Sequence, residues 1–208
     1  SDRLLHGEGV AIGMVLAPRG LGTMFSMMLA GRMLGKIDAR IPILLGMAII
    51  ALSLHGMSRF GIEATVEAVV WLGVLQGLGL GLVFVPISTI AYATLAPAQR
   101  TEAAGLFSLS RNIGSSVGIS MVVALLARST QVNHAEIGAR IAAYGAEQTL
   151  LPAIWNPATA QGAALLNAEV TRQAAAIGYG NDFWLMMTLT VCAMPLVLLM
   201  HSGRHASR

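Results

Sequence analysis

Residues 71–121, WLGVLQGLGLGLVFVPISTIAYATLAPAQRTEAAGLFSLSRNIGSSVGISM, constrain the fold more than any other stretch. Two long apolar segments flank a short polar hinge, Pro97-Ala98-Gln99-Arg100-Thr101-Glu102. An apolar segment longer than about 18 residues is a candidate to span a bilayer, because about 20 residues at 1.5 Å rise cross the hydrocarbon core. Glycines recur at helical spacing on both sides, Gly73, Gly77 and Gly81 before the hinge and Gly114 and Gly118 after it. Glycines four apart leave a groove in which another helix backbone can approach closely. The pattern predicts two packed helices at the centre of a polytopic membrane protein.

The rest of the chain follows suit. Of 208 residues 55% are hydrophobic and 11% charged, with a mean hydropathy of +0.70, against roughly a quarter charged in soluble domains. The net charge of +3 comes from arginines spread over connecting stretches rather than one basic face, which argues against a nucleic-acid partner. A single cysteine, Cys192 in an apolar run, excludes a disulfide framework and a cysteine metal site. His134 has no second ligand at a usual spacing, so no metal or cofactor is expected. The chain lacks an initiator methionine and a signal peptide, and residues 1–8 read as the end of a loop entering a helix in a longer protein.

Four spanning helices are expected over residues 9–34, 41–58, 65–96 and 103–127, and a fifth over 182–200. Pro18 and Arg19 fall near the middle of the first. Proline frees a carbonyl and kinks a helix, while a mid-membrane charge costs about 2.5–3.5 kcal/mol and normally faces protein or a wet cavity. Pro86 kinks the overlong third segment, where Gln76 is placed to hydrogen-bond to a neighbouring helix or to contact substrate. The run GLGLGL there lacks the GxGxxG spacing of a dinucleotide loop. Arg111, about two turns into the fourth segment, needs a partner, a wet vestibule or a snorkelling route. Residues 129–181 turn polar, with Pro152 and Pro157 as breakers. Within them Leu166, Val170, Ala174 and Ile177 mark an amphipathic helix expected to lie on the membrane surface or cap the bundle. Residues 201–208 form a basic tail.

The order GLGLGLVFVP, LAPAQRTEAAGL and SRNIGSSVGIS, with LAPRGLGTM and GRMLGKIDAR upstream and EVTRQAAAIGYGNDFWLMM downstream, resembles a family. It is that of the drug:proton antiporters with fourteen spanning helices in the major facilitator superfamily, the EmrB/QacA-type exporters. The resemblance covers nearly the whole chain and implies an all-α membrane protein holding the last five helices, a partial C-terminal half of the bundle. It also implies that Gly31, Lys36, Asp38 and Arg40 belong to a cytoplasmic loop that latches the two halves. Gly35 stands where the family's loop signature has its acid, and Asp38 supplies one three residues later.

Cations set the expected orientation. Arg32, Lys36, Arg40, Arg100, Arg204 and Arg208 crowd short stretches on one side. By the positive-inside rule that side is cytoplasmic, which puts the N-terminus and the loop 129–181 outside and the C-terminus inside. The resemblance adds a bacterial inner membrane, protons and a small-molecule substrate, the missing N-terminal helices, and a periplasmic adaptor as partners. Arg19, Gln76 and Arg111 are the candidate pathway residues. An intramembrane enzyme would need a nucleophile, base or paired acids on facing helices, and His55 has no such neighbour in sequence. The other alternative is a truncated or accessory subunit without transport of its own.

Overall fold

The computed structural model describes residues 2–34, 36–61, 64–93, 99–144 and 159–199. They form five helices: α1 (Asp2–Met33), α2 (Arg40–Ser58), α3 (Val66–Ala93), α4 (Arg100–Tyr144) and α5 (Ala160–Leu199). A lone bridge between Leu34 and Ile37 tightens the α1–α2 turn, and there is no strand among the described residues. Four helices, α2 to α5, are long and apolar enough among the described residues to cross a membrane. α1, with 32 residues, is about 48 Å long.

Three boundaries differ from the sequence expectation. α1 begins at Asp2 rather than at position 9, so residues 2–8 are helical and not the end of a loop. α4 continues beyond position 127 to Tyr144, and α5 begins at Ala160 and passes through position 182 without a break. Between Arg128 and Tyr144 the sequence offers no proline, and Arg140 bonds back to Glu136 one turn earlier at 2.5 Å. In α5 the buried positions Val170, Ala174, Gly178 and Asp182 recur every fourth residue across the expected boundary. A continuous stripe needs a continuous helix. The amphipathic stretch therefore stacks end to end with the apolar one, its stripe turned to α4. Pro152, Pro157 and the basic tail lie outside the described residues.

α3 is the middle of one layer, with α1 on one side and α2 on the other; α2 also packs on α5, and α5 on α4. Glycine makes the close crossings possible. A Cβ at Gly46 would lie 2.6 Å from the Gly79 carbonyl oxygen, and one at Gly79 equally close to that of Gly46. At Gly77 it would strike the Arg19 carbonyl, and at Gly81 the Ser26 hydroxyl. Ser53 donates to the Leu72 carbonyl at 2.7 Å, tying α2 to α3.

α4 and α5 run antiparallel, with Leu126 and Thr130 against Gly178, Ser129 against Asn181, and His134 against Asn167. Gly180 stands beside Ser58, where α2 ends. The α5 residues before Gly180 thus extend past the α2 terminus by about 30 Å.

Candidate functional site

α1 carries a charge at mid-helix. Arg19 is exposed at mid-helix, and its Cβ lies 3.8 Å from where a Gly73 side chain would begin. Its carbonyl accepts a hydrogen bond from the Thr23 hydroxyl one turn on in the same helix, at 3.0 Å. No ion pair to Arg19 exists among the described residues. Gln76 sits half-buried on α3 between the two glycines that Arg19 faces. Arg19 and Gln76 therefore share one level of the α1–α3 seam.

Arg111 lies elsewhere. Its guanidinium carbon is 5.4 Å from the centroid of the Phe84 ring, a cation–π contact between α4 and α3. Phe84 is about 12 Å of rise along α3 from Gln76. Nearer the hinge, about two turns on along α3 and one turn back along α4, Tyr92 meets Phe107 edge to face with centroids 5.8 Å apart. These ring contacts bridge α3 and α4, which otherwise touch little. Phe84 was not singled out in the sequence; the period that sets it opposite a cation spans two helices and leaves no local signal.

The glycines divide. Gly77 and Gly81 meet α1, and Gly73 borders Arg19, while nothing lies within 4 Å of a Cβ at Gly114 or Gly118. Gly22, Gly46 and Gly79, not among the candidates, make crossings as close. Pro86 is buried inside α3. In the predicted latch, Gly31 sits in the last turn of α1, Lys36 and Asp38 are exposed, and Asp38 accepts the Arg40 backbone N–H at 3.1 Å. An acid at the start of α2 satisfies an orphan donor there, so Asp38 has a structural task in the loop besides any latch role.

A cleft of about 410 Å³ opens where α2 ends against α5 and is lined by Ser58, Phe60, Gln173, Gly180, Asn181 and Trp184 among others. No candidate pathway residue lines it. Beyond that level Arg172 donates to Glu169 from Nε at 2.9 Å and from Nη2 at 2.7 Å, and Gln173 adds a third bond. Chiefly through the Arg172 bonds, the Glu169 carboxyl is held down at about 2. No group of three or more metal-ligating side chains occurs among the described residues.

A bundle of long apolar helices crossing at glycines, with an arginine exposed at mid-helix, is the build of a multi-pass membrane transporter. The comparisons agree. The Major Facilitator Superfamily matches residues 4–133, and the chain belongs to that family of transporters, not to an enzyme family. A multidrug resistance protein B homolog of Mycobacterium tuberculosis is 33% identical over 139 residues, 65% of this chain and 25% of that protein. The fatty acid resistance protein FarB of Neisseria gonorrhoeae is 26% identical over 92% of this chain and 39% of its own length. The multidrug export protein EmrB of Haemophilus influenzae is 25% identical over 88% and 37%. The chain thus spans between a quarter and two fifths of the length of these relatives. No solved structure matches.

Proposed function

We propose that this chain is part of a proton-coupled exporter of small, largely amphipathic molecules, with Arg19 on the transport pathway. The observation that carries the reading is an exposed guanidinium at mid-helix of α1 with no ion pair among the described residues, level with Gln76. An always-charged group at such a depth calls for water or a counter-charge. In a wet cavity it holds an anionic substrate group or favours the charged form of a carboxylate across the bundle. Names of relatives that speak of multidrug resistance, fatty acid resistance and multidrug export support the substrate class.

The reading implies a bacterial inner membrane, further helices to complete the bundle, protons, and a periplasmic adaptor as partners. Gly31, Lys36, Asp38 and Arg40 fall on the cytoplasmic side in it, as the latch.

The experiment is export by the full-length protein, normalised to its abundance in the membrane. Arg19→Lys should keep part of the activity, while Arg19→Ala and Arg19→Gln lose most of it at unchanged abundance. In a Cys192→Ser background, Arg19→Cys should react with a water-soluble thiol reagent. Normal export per molecule by Arg19→Ala, together with an unlabelled cysteine, would remove Arg19 from the pathway.

A further inference from the structure

We propose that the cleft between the end of α2 and α5 holds a single phospholipid with an anionic headgroup. The idea goes beyond the export reading and does not depend on it. α2 has 19 residues, Arg40–Ser58, and none between its first arginine and Arg59 is a lysine, arginine, aspartate or glutamate. At 1.5 Å per residue it is about 28 Å long, which matches a hydrocarbon core of about 30 Å. Ser58 therefore ends α2 at the membrane–water boundary, and the cleft opens at that level.

One face of α5 forms the wall. Gln173, Ala176, Ile177, Gly180 and Trp184 line the cleft at steps of three and four residues, which sets them in one row. Gly180 lets the α2 end come close, since a Cβ there would lie 3.1 Å from the Ser58 carbonyl oxygen. With Gly180 level with Ser58, Gln173 stands about 10 Å on the water side and Trp184 about 6 Å on the apolar side. Trp184 is 57% exposed, the setting of an interfacial anchor with a wet and an apolar end. Toward the membrane centre α5 goes on with exposed apolar residues such as Leu189. The cleft thus crosses the boundary with an amide at its wet end and an indole at its apolar end, as a bilayer lipid does.

The chemistry of the rim selects the headgroup. No described lining residue is acidic, while Ser58 and Phe60 flank Arg59, which is exposed at the α2 terminus. The Gln173 amide gives one hydrogen to Glu169 and the Asn181 amide one to Ser129. A primary amide has two, so each keeps a donor for a ligand. Of the nearby acids on α5, Glu169 is held by Arg172, and Asp182 lies on the row that meets α4 at Gly178. Amide donors beside a guanidinium suit phosphate oxygens, which a guanidinium grips through two parallel bonds. The volume of about 410 Å³ falls within the range of small-ligand sites, about 300–1,000 Å³, so the cleft takes the headgroup and leaves the acyl chains along α5. A soluble anion would gain nothing from Trp184 and the apolar run beyond it, which favours the lipid.

The test uses the full-length protein in phosphatidylcholine vesicles carrying a trace of photoactivatable phosphatidylglycerol or, in parallel, photoactivatable phosphatidylcholine. Labelled positions are mapped by peptide mass spectrometry and counted per protein molecule. The glycerol lipid should label residues 58–61 and 173–184 severalfold more than the choline lipid does. Arg59→Gln should abolish that preference and Arg59→Lys keep most of it. Ala176→Phe, which fills the cleft and leaves the charge, should lower labelling there by both lipids. Equal labelling of the wild type by the two lipids would overturn the anionic headgroup. Absence of label from these peptides would show the cleft covered by other parts of the protein and overturn the site. Loss of label to excess inorganic phosphate at constant ionic strength would assign the cleft to a soluble anion and overturn the lipid. The readout needs no transport, so a loss of the export reading would leave the proposal standing.

Discussion

Gly77, Gly79 and Gly81 alternate with leucines in α3, and the alternation has a geometric result. Residues 77 and 81 are one turn apart on one face, and 79 lies about 200° away on the other. The first pair receives α1 and the single glycine receives α2, so one short repeat lets two helices close on a third from opposite sides. Side chains added there must displace backbone, and overpacking of this kind costs typically 1–3 kcal/mol. Gly79→Leu and Gly46→Leu should therefore sharply lower the abundance and thermal stability of this chain in detergent, whereas Gly114→Leu should leave both near wild type. Equal losses in all three, measured by fluorescence size-exclusion before and after heating, would contradict the crossing. Gly77 and Gly81 were legible because four-residue spacing is a local sign. Gly79 and Gly46 were not, because their meaning lies in each other, on different helices.

At the scale of elements, apolar length marks α2, α3 and the apolar parts of α4 and α5, while the ends of α4 and α5 go beyond what hydropathy can mark. The polar stretches are held by pairings along and between helices, such as His134 with Asn167 at 3.0 Å and Ser129 with Asn181. Hydropathy scores such residues as loop. Glu169 offers a check on this extension. Its carboxyl lies near 2 in the folded chain against an ordinary 4.5. A lowered value means that the ionised form contributes stability at pH above about 4.5, and that this contribution disappears as pH falls through about 2. The pair is exposed and screened by salt, so the effect is small. Helical melting of Glu169→Gln should begin slightly below wild type at neutral pH and low salt, and the gap should close on acidification. A gap that persists at the lowest pH would assign it to something other than the Arg172 pairing.

For the whole molecule, successive helices alternate in direction, so that the α1–α2 turn, the end of α3 and the start of α4 share one side. The cations Arg32, Lys36, Arg40 and Arg100 sit there, and the orientation we propose from the charge rule for short loops puts that side in the cytoplasm. A reporter active only outside the cytoplasm should work when fused at Gln148 and fail when fused at Gln99. The reverse pattern, read as enzyme activity per fusion protein, would invert the orientation. The fold class was legible because a bilayer leaves a chain few choices. The partners of Arg19 were not, because a counter-charge leaves no mark on the helix that needs it.

The unbroken passage of α4 and α5 from apolar to polar sequence has a mechanical result. A helix transmits rotation along its whole length, and each of these is anchored in the bundle at one end and free of α2 at the other. With an arm of about 30 Å beyond Ser58, a tilt of about 10° where α5 packs on α2, of the size seen when packed subunits rotate, sweeps the far end through about 5 Å. The pair acts as a lever: small adjustments among the apolar helices emerge, enlarged, at the far ends, near Tyr144 and Ala160.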